Sequence, residues 1–173
     1  MKTTTVKCQK ERSLGLIIEE GGDTVSLEEN RAVIRKGIEA VNKRNLDLLD
    51  RLYALGCVDH TRQLHGLKAV KQYITTLFKS SPDLQGTIED MIAEGDKVWV
   101  RTTFTGTHTG ELHGLAPTGK KFRTTSVDIY RIVDGKVKEG WTVLDLYTHL
   151  DFYKKLGIIK YTEKAKKLFP EGE

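Results

Sequence analysis

Residues 122–147 run FRTTSVDIYRIVDGKVKEGWTVLDLY, and how they are read decides the fold. From Phe122 to Val133, β-branched and aromatic residues alternate with polar ones, the period-two pattern of a half-buried strand. Asp134, Gly135 and Lys136 supply tight-turn chemistry, and Val137 to Tyr147 resumes the alternation as a partner strand. The preceding stretch repeats the theme. Thr87 to Ala93 predicts a strand, Glu94 to Lys97 a hairpin turn and Val98 to His108 its partner. A glycine-rich loop, GELHGLAPTGKK at 110–121, joins the two hairpins.

Upstream the period is helical. Ser26 and Glu29 form a capping box ahead of Ile34, Ile38 and Val41, which predicts a first helix to about Lys43, with Gly37 as a weak point inside it. Asn45 opens a second, shorter helix with a Leu46, Leu48, Leu49, Leu52 and Leu55 stripe, stopped by Gly56. CVDHTRQLHG at 57–66 is polar and irregular. A third helix spans Leu67 to Lys79 and is broken by SSPD at 80–83, and residues 148–158 suggest a short closing helix. Helices first and hairpins second favour an α+β fold over a parallel α/β one. The expected organisation is a loosely attached arm over 1–25, one domain over 26–158 and a lysine-rich tail over 159–173.

Composition narrows the function classes. Of 173 residues, 38% are hydrophobic and 30% charged, ordinary values for one globular domain. No apolar run suggests a membrane helix, and the N-terminus lacks a signal-peptide pattern, so a cytoplasmic protein is expected. Cys8 and Cys57 have neither metal-type spacing nor a disulfide framework and are read as free thiols. The net charge of +4 collects between Lys154 and Lys167 without interleaved stacking aromatics, which argues against nucleic acid.

The chemistry-bearing candidates come from strand parity. Val100, Thr102, Phe104 and His108 share one face; Thr124, Ser126, Asp128, Tyr130 and Ile132 share another; Val137, Glu139, Trp141, Val143 and Asp145 share a third. Mostly apolar faces with a few placed polar groups suit a pocket wall, and equally an ordinary half-buried sheet. Asp128 stands out because it interrupts SVDIYRI, a segment where Asp is disfavoured. In an apolar cavity its carboxylate becomes a stronger base, suited to taking a proton from carbon beside a carbonyl. An outward-facing Asp paired to Arg131 is the competing reading. His108 ends a strand, His113 sits in the loop beside it, and His60 follows Asp59 where the chain returns toward the sheet. The histidines show no metal-ligand spacing, so no metal is expected. Trp141 reads as core or pocket wall.

Several of these pieces occur together in one family. Asp59-His60, Gly66 before a helix, SSPDL from Ser80, GDKVWVR from Gly95, GTHTGELHGLAPTGKK from Gly106, DIYRIVDGKVKEGW from Asp128, and a closing Asp145 with KLG at 155–157 follow one another over residues 28–158. This order resembles the SnoaL-like polyketide (ester) cyclases of the nuclear-transport-factor-2-like superfamily. The resemblance implies a cone: a strongly curved antiparallel sheet closed by N-terminal helices around a ligand pocket. It implies cofactor-independent, aldol-type ring closure, with Asp128 as general acid/base and His108 or His113 assisting. His60, Phe104, Ser126, Tyr130, Trp141 and Asp145 are expected around a small, largely apolar polyketide or keto-ester. A homodimer or higher homo-oligomer is also implied. Lys155 stands where the family's closing motif often has Gln. Because one fold hosts many reactions, a non-catalytic small-molecule binder or sensor remains the alternative, followed by an epoxide hydrolase or ketosteroid-isomerase-like enzyme.

Overall fold

A computed structural model describes residues 26–157, 159 and 160. The expected arm over 1–25, with Cys8, and all but the first two residues of the expected tail lie outside the described residues. Helix α1 (Leu27–Asn42) begins at the expected capping box: the Ser26 hydroxyl accepts from Glu29 N–H, and the Glu29 carboxylate accepts from Ser26 N–H. Helix α3 (Leu67–Ser80) also follows its predicted span.

The second helix is a correction. Asn45 caps a single 3-10 turn (Leu46–Leu48) and a four-residue helix α2 (Leu49–Leu52), after which the chain extends into β1 (Tyr53–Asp59). Leu55 is therefore solvent-exposed on a strand, and Gly56 is a strand residue with no helix to stop. Leucine spacing cannot separate these outcomes, because pairing of β1 with a distant strand overrides local preference. The irregular segment that follows contains a short strand, β2 (Leu64–His65).

Two hairpins build the rest: β3 (Gln85–Glu94) with β4 (Lys97–Thr107), and β5 (Lys121–Val133) with β6 (Lys136–Leu144). Asp134 and Gly135 both take positive φ, as a tight two-residue hairpin turn requires. The last strand stops three residues early, and Tyr147 belongs to α4 (Leu146–Leu156), two residues ahead of the expected closing helix.

The six strands run in the order β2-β1-β6-β5-β4-β3. The sheet is curved and unclosed, and it is mixed rather than purely antiparallel, because β1 joins β6 in parallel. Helix α1 lies across β3, where the Asn42 side chain imitates a neighbouring strand: its amide donates to Gly86 O at 2.8 Å and its oxygen accepts from Gly86 N at 2.7 Å. Ile34, Val98, Val100, Ile132 and Val137 form one buried cluster between α1 and the sheet, and Leu49, Leu52, Cys57, Leu67 and Val70 pack between the helices and β1.

One irregularity positions the site. Between Arg131 and Ile132 the β5–β6 register slips, leaving Lys138 as an extra residue on β6. A bulge reverses which side chains face inward beyond it. Val137 points in below the slip; above it Gly140 and Thr142 face the concave side, while Glu139, Trp141 and Val143 face out.

Candidate active site

The concave side of the sheet and the helices enclose a cavity of about 690 Å³. Its wall is mainly aliphatic and aromatic, with contributions from α1, α3, α4 and the inner faces of β4, β5 and β6. Asp128 sits midway along β5, between Val100 on β4 and Thr142 on β6. It is 6% exposed. Its carboxylate is held by two hydroxyls: Ser126 Oγ donates to Oδ2 at 3.0 Å, and Thr142 Oγ1 donates to Oδ1 at 2.5 Å. Arg62, in the β1–β2 turn, donates from Nη1 to Thr142 Oγ1 at 2.8 Å and to Asp59 Oδ2 at 2.7 Å. Asp59 in turn accepts the backbone N–H groups of Thr61 and Arg62. Burial pushes the Asp128 carboxyl above the ordinary carboxylate range, against the pull of the Thr142 hydroxyl, the Arg62 charge and the Ser126 hydroxyl.

Two phenols share this wall. Tyr53 opens β1 and Tyr130 stands two residues from Asp128 on the same face of β5, and both line the cavity. Burial and the Asp128 charge raise both well above the usual tyrosine value, so both stay protonated donors. On α4, His149 hydrogen-bonds the Asp145 carbonyl through Nδ1 at 3.2 Å, and burial lowers its pKa, which favours the neutral ring. The mouth is bordered by His113 and Leu112 from the 108–120 loop and by Phe152 and Tyr153 from α4. Among the described residues, no three His, Cys, Asp or Glu side chains converge as a metal-ligand set.

The family model for SnoaL-like polyketide cyclases matches residues 31–151, most of the chain. This chain belongs to the SnoaL-like polyketide cyclase family. Curated relatives include aklanonic acid methyl ester cyclase DauD of Streptomyces sp. (strain C5), 29% identical over 132 residues, covering 72% of this chain and 80% of the relative. The corresponding cyclase DnrD of Streptomyces peucetius is also 29% identical, covering 72% of this chain and 88% of the relative. Among solved structures, AclR, a hydroxylase candidate from Streptomyces galilaeus, aligns with a TM-score of 0.69 and 29% identity over 78% of this chain and 100% of its own. The SnoaL-like cone, then, is shared here with a protein assigned to a different reaction.

Within this SnoaL-like chain the expected site residues divide. Asp128, Ser126, Tyr130 and Phe104 line the cavity, and His113 stands exposed at its mouth. Trp141 does not line it. Strand parity had grouped Trp141 with Val137, but the bulge turns it outward, where its ring stacks on His60 at 4.7 Å. His60 also meets Glu139 at 3.2 Å, and Glu139 pairs with Arg131, so these residues form an outer-face cluster. Arg131 is thus engaged on the opposite face from Asp128. Asp145 is exposed at the start of α4. His108 is fully buried outside the cavity wall. Its ring meets Thr118 Oγ1 at 3.2 Å and its carbonyl accepts from Gly119 N at 2.8 Å, which pins the base of the mouth loop.

Sequence reasoning missed Arg62, Thr142, Tyr53, Asp59 and His149. The DHTR stretch at 59–62 is a short polar turn, and no periodic pattern in it gives the direction of the Arg62 side chain. Thr142 was beyond reach, because its inward direction depends on a bulge that no turn residue announces.

Proposed function

We propose that this protein is a cofactor-independent cyclase that closes a ring in a small, largely apolar polyketide-derived keto ester, with Asp128 as general acid/base. The observation that carries the reading is a buried carboxylate, held by two hydroxyls, in the wall of a mostly apolar cavity. The named activity of DauD and DnrD supports the substrate class. In the reaction, ionised Asp128 takes a proton from the carbon between two carbonyls. The resulting enolate carbon attacks a ketone carbonyl of the same molecule, forming the ring C–C bond. The alkoxide so formed takes the proton back from Asp128, and the net change is an isomerisation. The protonated phenols of Tyr53 and Tyr130 stand in the same wall, suited to donating to the enolate oxygen. His113, which lines the cavity at its mouth, would contact the substrate there.

The test is turnover of aklanonic acid methyl ester and simpler β-keto esters by wild-type and Asp128→Asn protein, followed by chromatography. The Asn variant should lose about 100- to 10,000-fold in rate while still binding substrate. An Asn variant as active as wild type would sink the reading. Binding without turnover by the wild type across the whole panel would favour the non-catalytic binder instead.

We further propose a cytoplasmic homo-oligomer. No helix among the described residues is long and apolar enough to cross a membrane. On the outer face, Ile92, Trp99, Ile129 and Trp141 lie side by side in register across four strands, with Ile92 and Trp99 exposed. Exposed apolar faces of this kind mark contact surfaces, and a second copy related by a twofold axis would present the same face.

A further inference from the structure

Arg62 is the only Arg or Lys among the described residues that line the cavity. Its place is fixed from three sides. Nη1 bonds Asp59 Oδ2 and Thr142 Oγ1, and the guanidinium lies over the Tyr73 ring, 5.2 Å from its centroid. Asp59 is itself immobilised by the turn it caps. A hydroxyl has one proton to give. Because Thr142 Oγ1 accepts from Arg62, that proton is left for Asp128 Oδ1, at the short distance of 2.5 Å.

We propose that Arg62 is a positioning residue for Asp128: through the Thr142 hydroxyl it aims a proton at Oδ1 and keeps the carboxylate ionised in a mostly apolar cavity. The inference rests on the reading of Asp128 as general acid/base. The other titratable groups facing the cavity are Asp59, Tyr53 and Cys57 from β1, Tyr130 from β5, Tyr73 from α3, His149 and Tyr153 from α4 and His113 from the loop. Asp59 works against ionisation of Asp128, and its own pairing to Arg62 limits that effect. The buried phenols of Tyr53 and Tyr130 and the buried thiol of Cys57 are all raised, so they add no charge near neutrality.

The experiment follows ionisation of Asp128 by carbon NMR of the labelled full-length protein, with Asp128→Asn assigning the signal. Arg62→Met, Arg62→Lys and Thr142→Val are compared, and kcat/KM is measured against pH. Thr142→Val keeps the Arg62–Asp59 pair, so it tests the relay even if Arg62→Met folds poorly. In Arg62→Met and Thr142→Val the Asp128 titration should move to higher pH, and Arg62→Lys should bring it back toward wild type. For each unit of that movement, kcat/KM on the acid limb should fall about tenfold and recover at higher pH. An Asp128 titration in Thr142→Val that overlays wild type overturns the proposal. If the titrations move as expected but wild type and Asp128→Asn turn over alike, the positioning role stands and the general-base reading alone fails.

Discussion

Holding Asp128 inside the cavity costs folding free energy whenever the carboxylate is ionised, because burial outweighs the hydrogen bonds it receives. The direction of the shift fixes a pH signature. With the native value raised, the native state binds more protons than the unfolded chain between the ordinary Asp value and the raised one, so stability falls as pH rises through that window. Asp128→Asn removes the penalty. Its melting midpoint should exceed that of wild type at neutral pH, by about 2–4 °C for each kcal/mol recovered, and the gap should close as pH drops toward about 4. Calorimetry across pH checks this; a gap that is constant or widens in acid would contradict the burial argument. The same residue shows what sequence could reveal. An Asp in SVDIYRI conflicts with strand preference, and that conflict pointed at the site. Arg62 and Thr142 break no local rule, and only the turn and the bulge bring them to Asp128.

At the scale of elements, two backbone hydrogen bonds tie the mouth loop to the end of α3. Thr109 N and Gly110 N both donate to the Ser80 carbonyl at 2.9 Å. A Cβ at Gly110 would stand 2.1 Å from the Lys79 carbonyl oxygen, so no side chain fits there without undocking the loop. Gly110→Ala should therefore lower stability by about 1–3 kcal/mol in urea unfolding. It should also raise KM more than it lowers kcat, since Leu112 and His113 ride on that loop and Asp128 does not. Unchanged KM would show that the loop takes no part in binding. Element identity was legible where one period ran long, as in α1, α3 and the two hairpins. It was not legible for β1, where Leu55 continues the helical leucine stripe of the preceding turn and the strand state comes from parallel pairing with β6, some eighty residues away. The parity of β6 was readable only up to its bulge. Trp141 was thus assigned to the wrong face by one inserted residue, Lys138.

For the molecule as a whole, the two faces of one sheet differ: a cavity with a buried carboxylate on the concave side and an apolar row on the convex side. If the row is covered by a second copy, Trp99→Glu should convert the oligomer to monomer in light scattering at micromolar concentration. Turnover per chain should stay within about twofold, because Trp99 points away from the cavity. A monomeric wild type would remove that assignment. The cavity is divided as well. The groups that hold Asp128 come from strands and the β1–β2 turn, whereas α1 contributes only Val33, Ile34, Gly37, Ile38 and Val41. A Cβ at Gly37 would meet nothing within 4 Å. Substitutions along that helix would reshape the space offered to a ligand while leaving the groups around Asp128 untouched, so if Asp128 is the general base, a lineage could diversify what it accepts without reinventing how it reacts.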